Sequence, residues 1–285
     1  PPAPAAPAAT APPVISVFDV GASGVRMLLA ELKPDGSVRV LEEVQKPLAL
    51  GKETFRSGTL SAATMQKAVN VLRQFRATMD AYGVTHTRAV ATSAVRAALN
   101  RDTFVDRVFL ATGIELEVIE GSQETLLTFA AVQKALGALP EFSQGDSLMF
   151  ELGGGATEWA LMRNGEVAAS LTYDLGTVRM RELLRAEGGD RRAVTRLIQH
   201  NVREMMNAVR RTLPFEKVSN LIAIGSEARF AARVLGGETE LGAVAAKDLR
   251  KLADQILAMT PDQAATTFSV PAAEAESFAP AFLAY

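Results

Sequence analysis

A glycine turn set between apolar strands occurs twice in this chain, and the same succession of elements comes after each copy. Val14 to Val20 is a strand-forming run that breaks at Gly21-Ala22-Ser23-Gly24. Val25 to Leu32 continues as a second strand, Pro34-Asp35-Gly36 turns it, and Val38 to Val44 is a third. Later, Ser147 to Leu152 breaks at Gly153-Gly154-Gly155, and Ala156 to Met162, the hairpin pair Asn164-Gly165, and Val167 to Tyr173 come next. Helical spacing succeeds each triplet of strands. Asp19 and Glu151, the acids beside the two turns, are 132 residues apart. Duplication at that length makes two similar α/β domains that face each other.

The pattern predicts a duplicated actin-like fold of the ribonuclease-H-like (ASKHA) type, with ligands in the interdomain cleft. Domain I spans 14–137 and domain II spans 138–285. Residues 1–13, proline and alanine with one threonine, form a disordered linker. Ser61 caps a helix to about Tyr82, with Met65, Val69, Leu72, Phe75 and Met79 on one face. Thr87 to Ala91 is a short strand. A helix starting at Asn100 or Asp102 closes at Gly113. Leu116 to Ile119 is a strand, and Ser122 caps a helix to about Leu136. Domain II continues with helices over Gly176 to Ala186 and Asp190 to Leu213, a strand over Val218 to Ile224, and further helices.

Composition removes whole classes of function. There is no cysteine, which excludes disulfides, thiolate metal sites and cysteine nucleophiles. Two histidines, His86 and His200, argue against a zinc site, and neither has a partner motif. A net charge of -2 argues against nucleic-acid binding. No apolar run approaches the roughly 20 residues of a membrane span. With no leader and no cysteine, a cytoplasmic location is expected; the chain opens on Pro1, as an excerpt of a longer protein would. Arginine supplies 22 of the 30 basic residues, and its fork suits phosphate. Arg192, Arg196, Arg203 and Arg210 share a helix face that would attract a polyanion, although a solvated face is the commoner meaning of such a stripe.

Four segments carry candidate chemistry. In the first turn, the N–H groups around Gly21, Ser23 and Gly24 would face an anion, Arg26 would reach a phosphate, and Asp19 would orient a metal or water. An ordinary hairpin with Asp19 as its cap is the competing account. In the second, Gly153, Gly154 and Gly155, with Ala156 and Thr157, are read as a phosphate cradle, because glycine only weakens a strand. Glu151 and Glu158 flank it, spaced for one to hold Mg2+ and the other water. The third segment, Thr92, Ser93 and Arg96, is a phosphate-side rim or simply a loop. In the fourth, Glu124 lies in the first turn of a helix. That is a usual place for a capping acid; in a cleft opposite two phosphate loops it is the natural general base.

These segments, with Leu175-Gly176-Thr177-Val178-Arg179 and Ile222-Ala223-Ile224-Gly225-Ser226, resemble the exopolyphosphatase/guanosine pentaphosphate phosphatase (Ppx/GppA) family over nearly all of residues 14–285. The resemblance implies a Mg2+-dependent hydrolase that removes terminal phosphate from polyphosphate or the 5'-phosphate of pppGpp. It implies that Glu124 activates water with Glu158 beside it in the catalytic set. Asp19, Glu151 and Glu158 would serve the metal, and Gly225 and Ser226 would join the phosphate loops. Partners would be polyphosphate or guanosine penta- or tetraphosphate, with neither nucleic acid nor membrane, and a homodimer stays open. The family's first turn reads Gly-Ser-Asn-Ser where this chain has Gly21-Ala22-Ser23-Gly24, and its second begins with Asp where this chain has Glu151. Those changes leave room for a catalytically weak relative that binds a phosphorylated ligand as a sensor. A sugar- or acid-kinase-like phosphotransferase is disfavoured, for want of an acceptor-domain insertion.

Overall fold

A computed structural model describes residues 12–137, 142, 145–186, 191–213, 218–236 and 242–285. The first sheet contains β1 (Val14–Val20), β2 (Gly24–Leu32), β3 (Val38–Pro47), β4 (His86–Ala91) and β5 (Leu116–Val118), in the order β3-β2-β1-β4-β5. β1, β2 and β3 pair antiparallel, whereas β4 joins β1 in parallel. The second sheet contains β6 (Asp146–Leu152), β7 (Thr157–Arg163), β8 (Glu166–Tyr173) and β9 (Val218–Ile224), in the order β8-β7-β6-β9. Its pairing directions are those of β3-β2-β1-β4. The duplication read from the glycine turns is therefore a duplication of topology. Asn164 and Gly165 take φ of 51° and 77°, the primed turn that Asn-Gly predicts.

Helices in the first half are α1 (Leu50–Ser57), α2 (Ala62–Ala81), α3 (Ser93–Arg96), α4 (Arg101–Thr112) and α5 (Gly121–Leu136). Ser61 caps α2 by accepting from the Thr64 N–H at 3.2 Å. The structure adds α1, which sequence spacing misses because it is short and contains glycine; Gly58 ends it in the left-handed region. The cap of α5 is Glu120 rather than Ser122. Gly121 can begin the helix early because it has no side chain: a Cβ there would lie 2.5 Å from Thr172 Oγ1.

Helices in the second half are α6 (Thr177–Ala186), α7 (Arg191–Thr212), α8 (Ser226–Gly236), α9 (Ala246–Leu257), α10 (Pro261–Phe268) and α11 (Ala272–Ala284). Phe18, Leu29, Leu72, Phe75 and Phe104 centre the first core. The second sheet is covered on both faces. On one, Phe150, Trp159, Met180 and Met205 pack together. On the other, Met149, Ala160 and Met162 meet Phe129 and Val132 of α5. A strand covered twice is buried along its length, as β7 is. The α8–α11 helices close on Phe230, Phe278 and Phe282.

Some expectations fall outside the described residues. They include the linker over residues 1–11, the helix start at Asp190 and the side chain of Arg192. Pro13 belongs to the fold, since its carbonyl accepts from the Leu32 N–H at 3.0 Å. Arg196, Arg203 and Arg210 are exposed along α7. His86 and His200 are exposed as well, and Trp159 is core, stacked on Phe150 at 4.8 Å. Among the described residues, no helix is long and apolar enough to cross a membrane.

Candidate active site

The two glycine turns meet, and they meet where side chains are missing. In the first, the Gly21 N–H donates to the Gly24 carbonyl at 2.9 Å, closing β1 onto β2. The carbonyls of Ala22 and Ser23 accept from Gly51 and Leu48, each at 2.9 Å. A Cβ on Gly24 would stand 2.7 Å from the Lys46 carbonyl oxygen, so the neighbouring strand requires this glycine. Ala22 is buried, and Ser23 is exposed as the turn's one hydroxyl. Asp19 and Arg26 face each other across β1 and β2. Both reach water, yet protein surrounds Asp19 enough to raise its carboxyl, against the pull of Arg26. Arg26 also pairs with Glu43 at 3.5 Å, at the surface.

The second turn presses against the first half. A Cβ on Gly154 would lie 3.0 Å from that of Ala22; on Gly155 it would collide with Ser93 Oγ and stand 2.5 Å from the Phe55 ring. Packing thus accounts for two glycines assigned from the sequence to a phosphate cradle. The turn's carbonyls are engaged too. Gly153 O accepts from the Thr177 N–H, Gly154 O from those of Val178 and Arg179, and Gly155 O from Arg179 Nε at 2.9 Å. Ala156 is buried. Thr157 is fully buried and donates its hydroxyl to the Leu175 carbonyl. Neither side chain is exposed, so a phosphate cradle at these two positions would rest on backbone groups.

The acids form a row under α5. Glu151, Glu158 and Thr172 are cross-strand neighbours on β6, β7 and β8, and their side chains share the face that α5 covers. Residues 121, 124 and 128 recur at helical spacing along α5. Gly121 packs on Thr172, Glu124 acts electrostatically on Glu158, and Thr128 Oγ1 donates to Glu151 Oε2 at 2.8 Å. From the first half, Arg96 Nη1 donates to the Ile119 carbonyl at 2.7 Å and reaches Glu124 Oε2 at 3.4 Å.

Burial and mutual repulsion raise these carboxyls. Burial lifts Glu124 to about 7; Arg96 pulls it down, while Glu151 and Asp19 push it up. Glu158 is 2% exposed, and its Oε1 has no hydrogen-bond partner among the described residues. Burial, then Glu124 and Glu151, push it up to about 9, so it is neutral at pH 7. Glu151 is raised by burial, against the hydrogen bond from Thr128.

Asp19 and Glu151 offer hard oxygen donors of the kind Mg2+ takes, and Mg2+ commonly uses one or two carboxylates with water and substrate phosphates completing its shell. Among the described residues, no three acids or histidines converge to hold an ion by themselves. Glu158, expected on the metal, is buried, and its carboxyl is pushed up to about 9. Thr92 and Ser93 are buried, and α3 is a short helix that presents Arg96. Gly225 lies at φ 122°, and Ser226, which is exposed, donates its hydroxyl to Glu227 Oε2 at 2.8 Å. Glu227 turns inward, also accepting from Ser277 at 2.6 Å.

Sequence reasoning gave Arg179 and Thr128 no site role. Arg179, whose guanidinium lies 4.3 Å over the Phe55 ring, sat within a noticed motif. Thr128 carried no local signal. Beside Arg96, a cavity of about 790 Å³ opens between the first turn of α5, the end of β8 and α7.

Paired glycine turns and facing acids, on two copies of one topology, define an actin-like two-domain protein. Residues 31–284 match the model of the Ppx/GppA phosphatase family, and the chain belongs to that family. It is 30% identical over 223 residues to exopolyphosphatase 1 of Mycobacterium leprae, covering 78% of this chain and 65% of that protein. It is 27% identical over 169 residues to the guanosine-5'-triphosphate,3'-diphosphate pyrophosphatase of Aliivibrio fischeri, covering 59% and 33%. The match thus spans less than two thirds of either relative. The solved structure of an exopolyphosphatase from Cytophaga hutchinsonii superposes with a TM-score of 0.83 over 95% of this chain and 88% of that one, at 22% identity, a likeness of fold.

Proposed function

We propose that this chain hydrolyses phosphoanhydrides, releasing the terminal phosphate of inorganic polyphosphate or the 5'-phosphate of pppGpp. The observation that carries the reading is Glu124: a carboxyl raised to about 7 that meets Arg96 at 3.4 Å, with a cavity opening beside that arginine. A base of that strength is ionised in a useful fraction at neutral pH. Glu124 takes a proton from water, the water oxygen attacks the terminal phosphorus, and the anhydride P–O bond breaks. Phosphate and a chain one phosphate shorter leave. Arg96, Arg26 and first-turn N–H groups other than that of Gly21, which is committed to Gly24, hold the phosphate oxygens. Asp19 and Glu151 are the residues that would hold Mg2+, which supplies charge neutralisation at the phosphates.

A second reading, a ligand-binding relative with weak turnover, is favoured by one observation. Ala22, Ala156 and Thr157 all direct their side chains into the protein. Phosphate release from polyphosphate and from pppGpp, measured beside equilibrium binding of each, decides between the two. Turnover that chelator abolishes supports the enzyme; tight binding with no phosphate release supports the sensor.

A further inference from the structure

We propose that Thr128 is a positioning residue whose hydroxyl aims the Glu151 carboxylate on the sheet face that α5 covers. The inference rests on the phosphohydrolase reading above and goes beyond it, to the group that orients one of the acids.

A threonine within a helix commonly donates to the carbonyl four residues back. Thr125 does this, to the Gly121 carbonyl at 3.0 Å. Thr128, one turn beyond Glu124 on the same helix, instead donates to Glu151 Oε2 at 2.8 Å. This bond ties α5 to β6. It is charge-assisted when Glu151 is ionised. Without it, Glu151 has three side-chain torsions to settle and two like-charged neighbours, Glu124 and Asp19, to turn away from. With it, one carboxylate oxygen is committed to α5, and the rotation that carries the other is restricted. Thr128 itself touches no substrate in this scheme; it acts through Glu151.

The test separates the hydroxyl from the bulk of the side chain. Thr128→Val keeps the shape and removes the donor, and Thr128→Ser keeps the donor. Valine should lower kcat roughly 10- to 100-fold, the range of a lost hydrogen bond to a charged group, with KM within about twofold. It should also weaken Mn2+ binding by about tenfold or more on the same grounds, followed by electron paramagnetic resonance without turnover. Serine should restore both. In a Glu151→Asp background, where the carboxylate is drawn back by about 1.5 Å, one bond length, the valine change should add almost nothing. Thr128→Ala replaces the valine variant if that one fails to fold.

The proposal is overturned if valine matches the parent in either kcat or Mn2+ affinity. It is also overturned if serine is as impaired as valine, or if the valine effect persists undiminished beside Glu151→Asp. Should the parent protein release no phosphate from either substrate, the phosphohydrolase reading fails instead. The Mn2+ measurement then still tests whether Thr128 orients Glu151.

Discussion

Glu158 stands opposite Glu151 on the β6–β7 ladder, and the two carboxyls meet successive turns of one helix. That relationship sets their chemistry apart. Glu151 is half-buried and takes a hydrogen bond from Thr128, whereas Glu158 is closed off and keeps its proton at neutral pH. Two acids that look equivalent in the sequence have become a half-buried, hydrogen-bonded group and a buried one raised to about 9.

Glu124 should govern the pH profile. A base must be ionised, so turnover should rise with pH through about 7. Arg96 lowers the pKa of Glu124, so Arg96→Gln should move that rise to higher pH. Glu124→Gln should keep the fold and lose roughly 10²- to 10⁴-fold in turnover. Phosphate release measured across pH checks all three, and a profile indifferent to Arg96 would remove the pairing from the mechanism.

Burial of Glu158 should cost stability as pH rises. Its folded pKa is raised, so the unfolded chain ionises first, above about 4.5. Between there and about 9 the native state holds the extra proton, and stability falls with rising pH. Glu158→Gln, always neutral, should flatten that fall and be the more thermostable form at alkaline pH. Thermal midpoints of both proteins over the range would show it; parallel curves would mean that Glu158 ionises freely.

Gly155 is expected to tolerate no side chain. An alanine Cβ would meet Ser93 and the Phe55 ring across the domain contact. Gly155→Ala should therefore destabilise by about 1–3 kcal/mol, the usual penalty of overpacking, and depress turnover by shifting one turn against the other. Denaturant titration and phosphate release together test this. A fully stable, fully active variant would show that the halves part easily.

Arg26 belongs to the surface energetically. Its pair with Glu43 is exposed at 45% and 55%, and such pairs contribute at most about 1 kcal/mol. Arg26→Ala should leave the thermal midpoint nearly unchanged and raise KM for polyphosphate sharply. Adding donors to the first turn is a narrower experiment than its sequence suggests. Gly24→Ser would run into the Lys46 carbonyl, and Ala22 is buried. Ser23→Asn is the substitution the geometry accommodates. If neither Arg26→Ala nor Ser23→Asn alters KM, the first turn is not a phosphate contact.

Much of the fold was legible because its signals are local. A run of β-branched and aromatic residues marks β1, Asn164-Gly165 marks a hairpin, and Ser61 marks a helix start. Where the reading slipped, the cause was distant in the chain. The start of α5 is set by Gly121 fitting onto Thr172, 51 residues away, and α1 is held in place by contacts its own spacing does not announce. In the site, Glu124 and Arg96 were recognisable from motif order. Thr128 was not, since a threonine within a helix says nothing of a carboxylate on another element.

By itself, then, the sequence determined the duplication, the strand-turn-strand frames and the placement of an acid beside each glycine turn, because periodicity and turn chemistry act over a few residues. Tertiary structure alone decided what those groups became. The crossing of α5 over the second sheet sealed Glu158 and left Glu151 accessible, and the meeting of the two halves made Gly154 and Gly155 packing requirements. Charge state and close approach depend on what lies within a few ångströms in space, and for these residues the decisive neighbours come from other elements and, for the two glycines, from the other half of the chain.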